Sequence, residues 1–179
     1  MKTIGKYLFL FSLLLFIGFS TWGQIIGRQE SPKIGTPDYL LVKRGFGIFK
    51  LGDHINNYSE YVTRNSFYDN DRTNTIYNLI DPELLPEENG IKIKHVELVV
   101  NQGLIQSIDI FVDKEYKEAL LTALKTHFGD GESGNTESAF WKSKGAKIVL
   151  SYANGYKSTD MGRAIFVHTA LDEVRDDIE

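Results

Sequence analysis

His95, Glu97 and Asp109 are the residues of this chain whose types and placement come nearest to acid–base chemistry. They lie in "HVELVVNQGLIQSIDIFVD", two apolar runs separated by Asn101, Gln102 and Gly103, which reads as a β-hairpin. Taken as a three-residue loop with Gly103 in the left-handed region, the turn sets Val100 opposite Leu104 and His95 opposite Asp109. A carboxylate facing an imidazole favours the charged ring, so a raised pKa is expected for His95. Catalysis would also need a third group and a cleft; without them the pair is a cross-strand ion pair. In this register Val96, Leu98 and Val100 face the core with Leu104, Gln106 and Ile108. The opposite face displays Ile93, His95, Val99, Ile105, Asp109 and Phe111, which is too apolar for plain solvent surface. It must be covered by another part of the chain or by a protein partner.

Other chemistries lack their residues. The chain has no cysteine, which excludes thiol nucleophiles and disulfides, and no G-x-S-x-G string presents a serine beside a base. Neither "GFG" nor "GDGESG" has the spacing of a phosphate-cradling loop. His54, His95, His127 and His168 are widely separated, and no two sit at i, i+4 to present paired imidazoles from one helix. "DNDRTNTIYNLI" opens like a calcium loop with Asp69 and Asp71, then has Asn74 where the sharp turn needs glycine and Ile80 where a bidentate glutamate belongs. The chain is therefore expected to carry no catalytic residues, metal ligands or cofactors.

The elements that must hold the hairpin follow from periodicity. "YLLVKRGFGIFKLGD" suggests a strand around Leu40 to Val42 or Phe46 to Phe49, ending at Gly52-Asp53. Asp53 is placed to cap a helix whose buried side is Ile55, Tyr58, Tyr61 and Val62. Asn65 to Gly90 is hard to read beyond a short strand in "TIYNLI", and is a candidate cover for the sheet or a contact surface in its own right. From Asp113 the apolar period changes to that of a helix, with Tyr116, Leu120 and Leu124 flanked by Ala119, Ala123 and Phe128 and a stop at Gly129. Lys114, Lys117 and Lys125 fall off that stripe. "SAFWKS", "AKIVLSYA" and "GRAIFVHTA" then read as strands. The expected fold is α+β, an antiparallel sheet of hairpin-linked strands with two main helices packed on one face.

Composition bounds the setting. Lys2 and Lys6 precede an apolar run from Tyr7 that gives out at Ser20, shorter than the about 20 residues a membrane span needs, so residues 1–23 read as a signal peptide. Residues 24–38 read as a flexible leader, 39–170 as one domain and 171–179 as an acidic amphipathic tail carrying Leu171, Val174 and Ile178. The formal charge is −4, and loss of Lys2 and Lys6 would make it −6, against nucleic-acid binding, which depends on clustered Lys and Arg. The mature chain is expected to be periplasmic or secreted, with no membrane anchor after cleavage near Gly23. Its one remaining tryptophan, Trp141, would then be a natural fluorescence reporter.

Taken in order, "FGIFKLGDHINNYSEYV", "VVNQGLIQSIDIFV", "LLTALKTHFGDGES" and "FWKSKGAKIVLSYA" resemble the modules of β-lactamase-inhibitor proteins and of small outer-membrane-assembly lipoproteins. The resemblance spans about Phe46 to Ala170 and is one of topology, so it carries over no functional residue. The lipidated cysteine of the lipoproteins is missing here. The function expected is a non-enzymatic protein-binding module of the inhibitor or immunity type, its partner another envelope or extracellular protein. The alternative is a small-ligand carrier or hydrolase with a cleft near His95 and Asp109.

Overall fold

Ten strands and two α-helices occur among the residues that the computed structural model describes: 31–66, 74–85, 87, 90–135, 138–153 and 160–169. The expected signal peptide, the Asp69 and Asp71 loop and the acidic tail lie outside them. Strands β1 (Gly45–Phe46) and β2 (Phe49–Lys50) form a small hairpin. The others are β3 (Val62–Arg64), β4 (Asn74–Leu79), β5 (Ile93–Asn101), β6 (Leu104–Val112), β7 (Glu132–Asn135), β8 (Ser138–Lys142), β9 (Ile148–Ala153) and β10 (Gly162–His168). These eight make one antiparallel sheet in the order β3-β4-β5-β6-β10-β9-β8-β7. The fold is α+β, as expected. Two four-stranded meanders meet through their last strands, so β6 and β10 lie at the centre.

The stretch expected as a strand at Leu40 to Val42 is helix α1 (Leu40–Lys43), closed by Arg44 at φ 52°. The helix expected after Asp53 is a single 3-10 turn, Ile55–Tyr58, and His54 caps it by accepting from the Asn56 amide at its Nδ1. Asp53 is engaged elsewhere, accepting from the Tyr58 hydroxyl at 2.9 Å and from Arg44. Burial, then the bond to Asp53, pushes the Tyr58 pKa up to about 12. Burial likewise lowers the pKa of His168, with Arg44 and Lys147 adding to it. Of the expected leader, Gly35 donates to the His127 carbonyl at 2.8 Å and Asp38 accepts from the Lys144 amide. The described part of Asn65–Gly90 supplies β4, which extends the sheet in its own plane.

Helix α2 (Lys117–Phe128) carries the chain from the centre of the sheet to its far edge. Leu120, Ala123, Leu124 and Phe128 are buried at helical spacing. Gly129 ends the helix with φ 82°, and a Cβ there would come within 2.8 Å of the Gly35 carbonyl oxygen. Lys117 departs from its expected place off the stripe. It is buried, its stem lies beside Gly162, and its carbonyl accepts the Tyr152 hydroxyl at 3.2 Å. Asp113 precedes the helix without capping it by side chain; its carboxylate takes Lys94 instead.

One core cluster unites Leu40, Phe46, Phe49, Leu51, Ile55, Leu120, Phe128, Trp141 and Phe166 with the inward side chains of the sheet. Trp141 is 1% exposed and donates from Nε1 to the Gly129 carbonyl at 2.8 Å. Its emission therefore reports folding of the core, not events on the other face of the sheet.

The turn between β5 and β6 has two residues, not three. Gln102 and Gly103 both take positive φ, 50° and 83°, the combination whose twist matches that of paired strands, and Asn101 pairs with Leu104. The tip is clasped from outside: Ile55 donates to the Gly103 carbonyl at 2.9 Å, Gly52 to the Ile105 carbonyl and Ile105 to the Asp53 carbonyl. A Cβ on Gly103 would stand 2.7 Å from His54 Nε2. Gly103→Ala should therefore lower the unfolding free energy by about 1–3 kcal/mol, through the positive φ and the clash together. Gly47→Ala, at φ 55° but with nothing within 4 Å, should lose only about 1 kcal/mol. Urea unfolding followed at Trp141 checks both, and equal losses would contradict the clasp.

Candidate functional site

The register of β5 against β6 decides which side chains share a face. Leu98 pairs with Ile108, Val96 with Ile110, Glu97 with Asp109 and His95 with Phe111. His95 and Asp109 are thus not directly opposite. The shorter turn shifts the register, and two irregularities then reset it. Ile93 pairs with Val112 and His95 with Phe111, so Lys94 is an extra residue on β5; Val99 pairs with Ser107 and Val100 with Ile105, so Gln106 is an extra residue on β6.

Each extra residue reverses the alternation of everything beyond it. Ile93, 6% exposed, and Ile105, 0% exposed, consequently belong to the core and leave the expected contact surface. Val96, Leu98 and Val100 face the core as expected, but with Ile105, Ile108 and Ile110 in place of Leu104, Gln106 and Ile108. His95, Val99, Asp109 and Phe111 remain together on the outer face.

The pairings extend that face across the sheet. One row runs Ile76, Val99, Ser107, Val167, Val149 and Lys142; the next runs Thr63, Asn78, Glu97, Asp109, Ile165, Ser151, Phe140 and Glu132. A third holds His95, Phe111, Arg163, Ala153 and Ser138. Ile76, Val99, Phe140, Val149, Ile165 and Val167 are partly buried and stand outside the core cluster and the side chains packed on it.

At the centre lies a charged group that is largely dry. Asp109 is 7% exposed and takes an ion pair from Arg163, whose side chain is 23% exposed. Ser107 Oγ donates to Asp109 Oδ1 at 3.3 Å, and the Arg163 guanidinium lies over Phe111, 5.5 Å from the ring centre. Phe111, 4% exposed, is tilted against His95 at 5.8 Å between centroids. Glu97 and Asp109 face each other as like charges, an arrangement that costs stability and that a neighbouring cation offsets. Arg163 serves Asp109, and His95 Nε2 lies 3.5 Å from Glu97 Oε1.

Arg163 is the residue that the sequence reading missed. It lies 54 positions from Asp109 on a strand recognised only by its alternation, and "GRAIFVH" alone gives no sign of which acid it meets. Chemically, the arrangement balances charge: the Ser107 hydroxyl points at a carboxylate already taken by a guanidinium, and the imidazole lies beside Glu97 and Phe111. Among the described residues no group of three His, Asp or Glu side chains is placed to hold a metal. No protein-family model, curated protein or solved structure matches the chain.

Removing one half of the pair strands the other in a poorly hydrated place. Arg163→Met should lower stability by about 1–3 kcal/mol, whereas Asp109→Asn with Arg163→Met should lose less, since no buried charge is left. A double-mutant cycle by urea unfolding measures this, and additive losses would show the pair to be uncoupled.

Proposed function

We propose that the protein is a non-enzymatic protein-binding module of the periplasm or extracellular space, of the inhibitor or immunity type, and that it meets its partner with the outer face of the sheet. The observation that carries the reading is the dry Asp109–Arg163 pair with Phe111, set among Val99, Ile165 and Val167 on the face turned away from the core cluster. Interfaces concentrate their energy in aromatic and arginine side chains at a dehydrated centre with polar groups around it. Here Phe111 and Arg163 are central, and Glu97, Asn78, Lys142 and Glu132 lie toward the strands on either side. A guanidinium locked by a carboxylate and an aromatic ring meets a partner with little loss of rotamer freedom.

The export reading rests on Lys2, Lys6 and the apolar run that follows. It agrees with a chain that contains no cysteine and would suffer no unwanted disulfides outside the cytoplasm.

The test is capture from a bacterial envelope extract on the immobilised protein, run beside a Val99→Asp/Val167→Asp variant whose fold is verified by Trp141 emission. The reading expects one stoichiometric partner on the unaltered protein and a loss of more than about 30-fold in its affinity for the variant, as for a disrupted interface centre. A partner held equally by both would place the contact elsewhere.

A further inference from the structure

Lysines gather where β10 lets the chain go. Lys142 ends β8, Lys144 opens the turn toward β9 and Lys147 closes it; each is exposed and enters no ion pair among the described residues. β10 ends beside that turn. His168 pairs with Ile148, and Thr169 donates to the Lys147 carbonyl from its amide at 3.0 Å and from its hydroxyl at 3.2 Å. Asp38 offsets one of these charges, its carboxylate accepting from the Lys144 amide, and Glu132, opposite Phe140, lies a row further in. The balance at this end is positive.

The outer row nearest to it is largely apolar on either side of β10, and on the near side it runs Val167, Val149 and Lys142, with Phe140 in the row behind. Val167, Val149 and Phe140 are only partly buried and so keep surface on which another side chain can lie; Lys142 Nζ stands 4.9 Å from the Phe140 ring centre. Residues 170–179 are outside the described structure, but their sequence suits what stands at its exit. Leu171, Val174 and Ile178 recur at helical spacing, and five carboxylates accompany them against the single guanidinium of Arg175. In a helix Asp177 falls beside Val174, at the margin of the apolar stripe. A helix over 171–179 would measure about 13 Å, and the two strand spacings from β10 to β8 about 10 Å. Charge selects that direction, because the other half of the face holds Glu97 and Asp109.

We propose that residues 171–179 fold back as an amphipathic helix on the outer face of their own sheet, with Leu171, Val174 and Ile178 against Val167, Val149 and Phe140 and the acidic margin toward Lys142 and Lys147. The tail covers this half of the face until a partner displaces it. Displacement rests on the binding role proposed above; the packing of the tail does not.

The lack of cysteine makes a direct test possible. Asp176→Cys, opposite the stripe at helical spacing, carries a nitroxide on the full chain, and amide NMR intensities are compared with the label oxidised and reduced. The amides of Lys142, Val149 and Val167 should lose most of their intensity, and the loss should fade toward Ile93 at the opposite end of the sheet. An isotope-labelled chain without nitroxide, mixed with the spin-labelled chain, should lose none. Leu171→Ser/Val174→Ser/Ile178→Ser should abolish the effect and Lys142→Gln/Lys147→Gln should reduce it, with Trp141 emission verifying the fold of each variant. The proposal fails if the loss is absent or uniform, if it survives the serine variant, if removal of the lysines leaves it untouched, or if it appears in the mixed sample, which would put the tail on a second copy. No partner enters the measurement, so its failure leaves the binding role standing, and a failure to capture a partner leaves the tail contact standing.

Discussion

The alternation of side chains along the central β5–β6 ribbon, and the two places where that alternation is reset, constrain everything else in this protein. A strand has a period of two, so one additional residue sends every later side chain to the other side of the sheet. Gln106 and Lys94 are those residues. Between them the pairs Val99/Ser107, Glu97/Asp109 and His95/Phe111 look outward, and beyond them Ile93 and Ile105 turn inward to complete the core. Without the bulges, two isoleucines would face outward and the carboxylate of Asp109 would have a different set of neighbours. The positive φ at Gln102 and Gly103 and the clasp from Gly52 to Ile55 hold the end of the ribbon where this arrangement needs it.

What the constraint produces is a charge pair removed from water on the face turned away from the core cluster. Burying a carboxylate and a guanidinium together costs several kcal/mol per ion in desolvation, offset only by good geometry and further hydrogen bonds. Asp109 receives both, from Arg163 and Ser107, and Arg163 gains the ring of Phe111. The net stability from such a pair is small, and its effect is to fix one arrangement of side chains, as the proposed binding face would require.

Much of the architecture is legible in the sequence because it rests on strong local signals. The α+β class, the boundaries of α2 near Asp113 and Gly129, the strands around Trp141, Leu150 and Phe166, and the inward facing of Val96, Leu98 and Val100 all follow from period and from turn residues. Illegible features are those decided by tertiary contact. Gln102 has no intrinsic preference for positive φ, and only the clasp on Gly103 selects the two-residue turn. The bulges leave no compositional mark, so alternation alone sets His95 against Asp109, two residues out of register. Asp53 looks like a cap because nothing nearby in sequence announces Tyr58 and Arg44 as its partners. Lys117 is buried because Gly162, on a distant strand, leaves room for its stem. The candidate site is half visible from sequence: His95, Val99, Asp109 and Phe111 can be placed on one face, whereas Arg163 cannot.

The register of the ribbon is most directly tested by its cross-strand proton contacts in a multidimensional NMR spectrum. Close backbone contacts are predicted between Glu97 and Asp109 and between His95 and Phe111, and none that pair His95 with Asp109. Contacts pairing His95 with Asp109 and Val99 with Ile105 would restore the uninterrupted alternation, return Ile105 to the outer face, and contradict the surface described above.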